Sequence, residues 1–353
     1  MKIKLALLDR DGSYLGRLTS AFTDRYSDRL ELYAFTDAAA AIAALAISRI
    51  NVFLATDTFD IDTDVLPSYC GFAYLVESPD IESYKASPAI CKFQKVDSIF
   101  RAVLGLYSET VSEAIGIRTD SGANVRVIVF SSPAGGVGVS SSAAACARSF
   151  AANGKNVLYL NLEGFGGAAP FFSGEGQADF GDVIFALKSR KANLSLKLEG
   201  GVRRDASGVY FYAPPKTALD MTELGAEELG RLISELRLAG TYETVIVDMD
   251  FSFSSAAMEV IRQASEIVLV SDGSGLANYK LTRAYKAMEL MERDKGDTLL
   301  PRLALFYNKF SNKTGQMLED GIRTIGGAPK YERAETHQVV ERLTGLGVFQ
   351  KMH

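Results

Sequence analysis

The feature that most constrains this chain is a glycine-rich turn between an apolar run that starts at Val125 and an alanine-rich run that stops before Gly154. The turn reads Ala-Gly-Gly-Val-Gly-Val-Ser over residues 134–140. Closely spaced glycines let the backbone fold tightly around an anion. A helix that starts at the turn points free N–H groups and a partial positive charge at that anion. The order of strand, turn and helix therefore predicts a phosphate-binding loop in an α/β domain.

The turn lacks the lysine that closes an ordinary phosphate-binding loop, G-x-x-x-x-G-K-[ST]. Val139 stands in its place, whereas Ser140 keeps the hydroxyl that suits Mg²⁺. The missing lysine costs the hydrogen bond that it would make to phosphate, and a hydrogen bond to a charged group contributes about 1.5–3 kcal/mol. Mg²⁺ and backbone donors offset part of this loss in binding. One cationic finger changes the rate of phosphoryl transfer by about 10³–10⁵. We therefore expect nucleotide binding to survive better than turnover.

The turn resembles the deviant Walker A loop of the MinD/ParA-type ATPases, KGGVGKT, in its glycines, its valine and its terminal hydroxyl. Both family lysines are replaced, the first by Ala134 and the second by Val139. The resemblance implies that ATP and Mg²⁺ are the ligands of the loop. The residues that it assigns to nucleotide contact are Gly135, Gly136, Val137, Gly138, Val139, Ser140 and Ser141.

Two acidic residues follow predicted strands of the same domain. Residues 242–248 form an apolar strand that ends in Asp248, and a carboxylate in this position holds Mg²⁺ directly or through water. With Ser140 it forms the predicted metal site, and a helix cap is the alternative role. The family carries D-x-D after another strand, and its second acid orients the attacking water. Here Asn161 replaces the first acid and Glu163 the second, so Glu163 is predicted to position water, with an ordinary loop acid as the alternative.

Two further segments resemble the family's contacts to the base. Residues 302–308 form an apolar strand that ends in Asn308, which the resemblance places at the adenine edge. Residues 326–331 resemble the G-x-I-P loop that closes over the base, which implies contacts from Pro329 and Tyr331. Stacking of Tyr331 on adenine is one interpretation, and packing in the core is the other.

The N-terminal part is predicted to be a separate α/β domain, residues 1–108, with a doubly wound parallel sheet. Its order of elements resembles the flavodoxin-like receiver of response regulators. Asp9 and Asp11 match the acidic pair, and Lys92 matches the characteristic lysine. The predicted strands are residues 4–8, 30–34, 51–55, 73–76 and 89–93, and the predicted helices are residues 16–26, 38–47 and 98–107.

The receiver-like domain departs from its family at the phosphoacceptor. That aspartate should end the third strand, where Ala55 and Thr56 stand, and Asp57 comes one residue later. A shift by one residue turns the side chain elsewhere, so we expect a docking domain rather than a phosphorylated one. An atypical receiver in front of a lysine-poor loop resembles TadZ/CpaE, the localisation ATPases of Tad (Flp) pilus assembly.

The rest of the chain is divided into a linker, residues 109–124, and a P-loop NTPase-like domain with a mostly parallel sheet, residues 125–353. The fold class is thus α/β with two doubly wound domains. Residues 336–349 have apolar residues at helical spacing and are predicted to pack on the domain; a membrane-binding helix is the alternative. Other predicted elements are strands at residues 209–213 and 266–271 and helices at residues 222–239, 279–294 and 313–324.

Composition limits the function further. Hydrophobic residues make up 47% and charged residues 23%, as in soluble globular proteins. The net charge of -5 argues against a nucleic-acid partner, although DNA-partitioning relatives bind DNA through basic surface. No run of 18 apolar residues occurs, so we expect a cytoplasmic protein without a transmembrane segment. We also expect no peripheral membrane association, because Arg342 and Lys351 of the C-terminal segment are offset by Glu335 and Glu341.

The resemblance to TadZ/CpaE implies an ATP-binding localisation and assembly factor of a Tad-type pilus or secretion machine. It is expected to form a homodimer, to contact its partners through the receiver-like domain, and to take any polar position through a partner. Ala134 cannot reach across a dimer as the family lysine does, so surface packing would hold the dimer. Hydrolysis is expected to be slow or absent. The alternatives are an active ATPase with a substitute cation, such as Lys280, and a scaffold that binds no nucleotide.

Overall fold

The computed structural model describes residues 2–81, 83–110, 125–189, 194–295, 298–318 and 321–352. The chain divides into two compact units. The first comprises Met1–Ile117 and Glu175–Val202, and the second comprises Arg118–Gly174 and Arg203–His353. Both units are α/β with mostly parallel sheets, which confirms the predicted fold class. The predicted domain boundaries remain predictions, and residues 111–124 of the predicted linker lie outside the described residues.

The first unit contains a sheet in the order β2-β1-β3-β4-β6-β5, in which only the β5–β6 pair is antiparallel. Apart from the short β5, this is the flavodoxin-like order that the receiver resemblance implies. The elements of its N-terminal segment are β1 Ile3–Leu8, α1 Gly12–Tyr26, β2 Leu30–Phe35, α2 Ala38–Ile47, β3 Val52–Thr56, β4 Gly71–Val76, β5 Ser83–Tyr84, β6 Ser87–Cys91 and α3 Val96–Thr110.

Aspartate caps set the starts of the first two helices. Asp11 accepts hydrogen bonds from the N–H groups of Ser13 and Tyr14, so α1 begins at Gly12, four residues before the predicted start. Asp37 accepts from the N–H of Ala40 and caps α2 at the predicted position. Helices α1 and α3 bury one apolar face of the sheet, and α2 covers the other face.

The rest of the chain continues with alternating strands and helices. The elements are β7 Arg126–Ser131, α4 Val139–Ala152, β8 Val157–Asn161, α5 Phe180–Ser189, α6 Leu194–Gly201, β9 Arg203–Arg204, β10 Tyr210–Phe211, α7 Ala226–Ala239, β11 Thr244–Asp248, α8 Ser255–Gln263, β12 Glu266–Ser271, α9 Gly275–Lys295, β13 Leu303–Phe310, β14 Arg323–Pro329 and α10 Thr336–Thr344. Short 3₁₀ helices lie at Thr63–Val65, Ala218–Glu223, Leu300–Arg302 and Phe349–Met352.

The sheet of the second unit has the order β14-β13-β12-β7-β11-β8-β10-β9, and only the β9–β10 pair is antiparallel. Strand β7 lies near the middle, between β11 and β12, and is buried along nearly its whole length. The carboxyl ends of β7, β8, β11 and β13 therefore lie along one edge of this sheet, where ligands of open α/β sheets bind.

Helices α5 and α6 belong to the first unit, although they follow β8 in the chain. Leu196 of α6 is 1% exposed and lies in the same apolar cluster as α1 and α3. Glu199 forms a bidentate ion pair with Arg29, and Val202 accepts a hydrogen bond from Arg101 at 2.6 Å. A Cβ on Gly200 would lie 2.9 Å from the carbonyl oxygen of Arg101, so α6 approaches the backbone of α3 closely.

The predicted helix at residues 313–324 is wrong. Its described residues contain no helix, and residues 323–329 form strand β14, which pairs in parallel with β13. The glycines explain the difference, because Gly321 adopts a left-handed φ of +55° that ends a right-handed helix. The segment that resembles G-x-I-P, residues 326–331, consequently lies partly in a strand rather than in a free loop.

The C-terminal segment packs on the second unit, as expected. Glu335 and Gln338 form a capping box at the start of α10. Val340, Leu343 and Phe349 are each 0% exposed and share a core cluster with α4. None of the helices in the described residues has the length and apolar character that crossing a membrane would require.

Truncation of Leu196 tests whether α6 completes the core of the first unit. We expect Leu196→Ala to lower the free energy of unfolding by about 2–5 kcal/mol, as is typical for a buried leucine. Amide hydrogen exchange in α3 should accelerate with it. Leu238→Ala in α7 is the matched control, because Leu238 is 58% exposed. Equal effects of the two substitutions on unfolding would contradict this assignment.

Candidate functional site

The predicted phosphate-binding loop lies between β7 and α4 and depends on two left-handed glycines. Gly136 has a φ of +76° and Gly138 a φ of +87°, and α4 begins at Val139 immediately after them. A Cβ on Gly138 would lie 2.4 Å from the Nδ2 atom of Asn308. Gly135 faces open space and has no such conformation. The loop thus requires glycine at position 138 for both backbone and packing reasons.

The carbonyl groups of the loop are held by side chains. Lys309 donates to the Gly136 oxygen at 2.7 Å, and Asn308 donates to the Val137 oxygen at 2.8 Å. The hydroxyl of Ser142 donates to the Gly138 oxygen at 2.8 Å. Within the described chain, by contrast, the N–H groups of residues 135–141 have no hydrogen-bond acceptor. Free N–H groups at the start of a helix are the arrangement that binds phosphate.

The residues that replace the family lysines pack against the core. Ala134 and Val137 are 6% and 3% exposed and belong to the main apolar cluster of the second unit. Val139 packs against the same cluster. The loop itself therefore offers main-chain donors and the hydroxyl groups of Ser140 and Ser141, but no cationic side chain.

Four polar side chains surround the carboxylate of Asp248 at the ends of β8 and β11. Asp248 lies directly opposite Asn161 in the parallel register. Its Oδ2 atom accepts from the hydroxyl of Tyr159 at 2.6 Å and from the amide of Asn161 at 2.9 Å. The Oε2 atom of Glu163 accepts from Asn161 at 3.3 Å and from the hydroxyl of Ser140 at 3.1 Å. The structure thus brings the predicted Ser140, Glu163 and Asp248 together.

The electrostatics of this cluster favour a protonated or metal-bound Asp248. Burial raises the pKa of Asp248 to about 7, and the charge of Glu163 acts in the same direction against the hydrogen-bond donors Tyr159, Ser140 and Asn161. Burial, reinforced by Asp248, also raises the pKa of Tyr159 well above its usual value. The Oδ1 atom of Asp248 is buried and has no partner among the described residues. A buried carboxylate oxygen without a partner calls for a ligand.

The donor set fits Mg²⁺, which prefers carboxylate and hydroxyl oxygens together with phosphate and water. Ser140 and Asp248 would hold the ion, with Glu163 beside it. The described residues contain no group of three or more His, Cys, Asp or Glu side chains that could hold a metal ion by themselves. An ion at this place would therefore share its coordination with phosphate groups and water.

The residues predicted to contact the base are placed differently from one another. Asn308 is 1% exposed, and its amide is directed at the loop carbonyls. Pro329 ends β14 and is exposed. Tyr331 is partly buried against the core, with the guanidinium carbon of Arg342 5.3 Å from its ring centroid. The contacts of Tyr331 match the core-packing alternative, and the roles of all three at a nucleotide remain predictions.

Three residues at the carboxyl edge of this sheet were not predicted from the sequence. Tyr159 lies two residues before Asn161, on the same face of β8, so strand alternation carried a signal that was not used. Asp250 accepts a hydrogen bond from the N–H of Gly164 and fixes the loop after Glu163. Lys309 was visible only as a residue after Asn308, and its contact with the loop is a tertiary one.

In the first unit the receiver-like residues do not form the usual phosphorylation site. Strand β3 ends in the buried Thr56, and the N–H of Asp57 donates to the oxygen of Leu75 at 3.1 Å. The ammonium of Lys92 forms an ion pair with Glu77 at 3.1 Å rather than with Asp57. The expectation of a docking domain rather than a phosphorylated one stays a prediction.

Comparison with known proteins agrees with the sequence resemblance. Residues 1–108 match the family model described as TadZ-like, receiver domain. No curated protein matches the chain. Together with the fold of the second unit, the match confirms the resemblance to TadZ/CpaE-like proteins of the MinD/ParA type.

Two solved structures of related folds align with about two thirds of this chain. A ParA family ATPase from Chlorobium tepidum TLS is 22% identical, with a TM-score of 0.51, and the match covers 66% of this chain and 99% of that chain. The septum site-determining protein MinD from Pyrococcus horikoshii OT3, complexed with Mg-ADP, is 15% identical, with a TM-score of 0.51. That match covers 65% of this chain and 94% of the other. At these identities the likeness shows the fold.

The raised pKa of Asp248 predicts a pH-dependent stability. Because the folded state holds this proton more tightly than the unfolded state, stability is full below about pH 4 and falls as the pH rises toward 7. A shift of this size corresponds to a few kcal/mol, at about 1.36 kcal/mol per pH unit. In metal-free buffer we expect Asp248→Asn to be more stable than the wild type at pH 8, and this advantage to shrink toward pH 4.

Urea unfolding at pH 5 and pH 8 measures this difference. Asp250→Asn serves as the control, because Asp250 lies at the same edge of the sheet but is exposed. If the difference between the wild type and Asp248→Asn were the same at both pH values, Asp248 would not be the titrating group.

Proposed function

We propose that this chain, which carries a TadZ-like receiver domain and a unit with the ParA/MinD ATPase fold, is an ATP-binding localisation and assembly factor. The observation that carries the proposal is the loop between β7 and α4, whose carbonyl groups are occupied and whose N–H groups are free. Such a loop can bind an anion through its free main-chain donors.

Different residues bind the phosphates, the metal ion and the base in this proposal. The N–H groups of residues 135–141 bind phosphate oxygens, and the N-terminus of α4 adds its partial positive charge. Ser140 and Asp248 hold Mg²⁺, which when bound supplies the charge that offsets the phosphates. In this proposal Asn308 and Pro329 contact the base, and Tyr331 packs against the core of the second unit. The identity of the nucleotide as ATP rests on the resemblance to the MinD/ParA-type family.

Hydrolysis is slow or absent in this proposal. The loop has no lysine to stabilise charge in the transition state, and Glu163 accepts hydrogen bonds from Ser140 and Asn161 instead of acting alone on water. Tyr159 and Asn161 donate hydrogen bonds to Asp248, but neither side chain carries a positive charge. These contacts preserve a polar pocket for phosphate and metal, but they do not add the charge that phosphoryl transfer requires.

The proposed assembly is a homodimer that acts in a Tad-type pilus or secretion machine. The match of residues 1–108 to a TadZ-like receiver supports this setting, and the displaced Asp57 supports docking of partners rather than phosphorylation. Ala134 is buried, so the dimer would be held by surface packing rather than by a lysine that reaches the partner's phosphate. Any polar location would come from the partner.

The second candidate function is an active ATPase with a substitute cation. The cation that the structure brings to the loop is Lys309, whereas the sequence suggested Lys280. A charge beside the loop favours binding, and faster turnover would need it to act on the transition state as well.

A pair of glycine substitutions tests nucleotide binding. Gly138→Ala places a methyl group in the space of Asn308 and requires alanine to adopt a left-handed backbone. Mg-ATP affinity should therefore fall at least about tenfold. Gly135→Ala adds the same methyl group in open space and should bind like the wild type. Calorimetric titration measures both affinities, and thermal unfolding shows that both variants fold. A wild type without affinity for Mg-ATP, or equal affinities of the two variants, would contradict the proposal.

Turnover and assembly are tested together. We expect sedimentation to show a dimer in Mg-ATP, and we expect phosphate release no faster than that of Asp248→Ala. Steady phosphate release that Asp248→Ala abolishes would instead support the active ATPase. A protein that remains a monomer with and without Mg-ATP would exclude the proposed dimer.

A further inference from the structure

Lys309 lies beside the phosphate-binding loop at the end of β13. Its ammonium donates to the carbonyl oxygen of Gly136 at 2.7 Å, and its Cε atom lies 3.5 Å from the place where a Cβ on Gly138 would be. The side chain thus lies along the loop over two glycines. The residue before it, Asn308, donates to the oxygens of Val137 and Gly138 at 2.8 and 3.5 Å.

The backbone of Lys309 is in a conformation that lysine rarely adopts. Its φ is +59°, in the left-handed region, although the residue is not glycine. Such a conformation costs about 1–2 kcal/mol and persists where surrounding contacts determine it. Here the pairing of β13 and the hydrogen bond to Gly136 are those contacts. These contacts keep the ammonium of Lys309 beside the loop in spite of the strained backbone.

The charge of Lys309 is available to a ligand. The residue is exposed, and no carboxylate in the described parts of the chain lies within 4.0 Å of its ammonium. A lysine ammonium has three N–H donors, and one of them is used by Gly136. Two donors and a full positive charge therefore remain beside a loop that has lost both of its own lysines.

We propose that Lys309 is the phosphate-binding cation of this site, supplied by β13 in place of the lysines missing from the loop. Its hydrogen bond to the Gly136 oxygen also holds the loop in position. This inference rests on the proposed function, because it concerns the same nucleotide. It assigns the recognition of a polyphosphate to a side chain outside the P-loop segment.

The charge of Lys309 and its hydrogen bond to the loop have separable effects. A tether that only orders the loop would be replaced by any donor and would not respond to a charge placed elsewhere. A phosphate-binding cation would be replaced by a positive charge from another direction, and would matter only for ligands that carry phosphates. Position 139 provides such a direction, because it is the family's place for lysine.

The test uses calorimetric titration of the full chain with Mg-ATP, inorganic tripolyphosphate and adenosine. Lys309→Met should weaken Mg-ATP and tripolyphosphate about tenfold or more and leave the response to adenosine unchanged. Lys309→Arg should retain most of the affinity. Lys313→Met is the matched control, because Lys313 is an exposed lysine just after the same strand, and its removal changes the net charge equally.

The double variant Lys309→Met with Val139→Lys separates a cation from a tether. Recovery of Mg-ATP affinity in this variant, with a steeper salt dependence than in Lys309→Met alone, supports the proposal. Equal affinity of Lys309→Met and Lys313→Met overturns it while leaving the proposed function intact. Loss of affinity that Val139→Lys does not restore also overturns it, in favour of a tether. A wild type that binds neither Mg-ATP nor tripolyphosphate overturns the proposed function and this inference with it.

Discussion

The candidate site depends on the contact between the loop after β7 and the end of β13, two strands separated in the sheet by β12. Asn308 and Lys309 hold three successive loop carbonyls from this side, together with Ser142 from α4. These contacts occupy the carbonyl groups, whereas the N–H groups of residues 135–141 have no acceptor among the described residues and remain available to an anion. The shape of the cradle is therefore a tertiary property as well as a property of its glycines.

The contacts of Asp248 at the carboxyl edge of the sheet explain why nucleotide binding and nucleotide hydrolysis need not occur together. Asp248 ends β11 at the carboxyl edge of the sheet, and its buried Oδ1 atom has no hydrogen-bond partner among the described residues. Its other oxygen is bonded to Tyr159 and Asn161, which are neutral. Neutral donors lower the cost of a buried carboxylate without bringing the additional charge that phosphoryl transfer uses. A site of this kind can retain a nucleotide and be slow to cleave it.

The sequence was sufficient where the signal is local. The glycines of the loop, Ser140, Asp248 and the α/β fold follow from short patterns of strand, turn and helix, and the structure brings these residues together. Local pattern failed at residues 313–324, where helix-like spacing hid a turn at Gly321 and an edge strand. It also could not find Lys309 or Tyr159, because their roles arise only when distant strands meet.

The segment 175–202 illustrates the same limit at the scale of a domain. A boundary at residue 108 follows from the order of the strands and remains a prediction. Yet Leu196 belongs to the apolar cluster of α1 and α3, and Glu199 forms an ion pair with Arg29 just before β2. Both residues follow the end of α3 by 86 positions or more. A chain that ends at residue 108 would leave part of this face in water. The first unit is therefore continuous in space but not in sequence, and only its packing reveals its full extent.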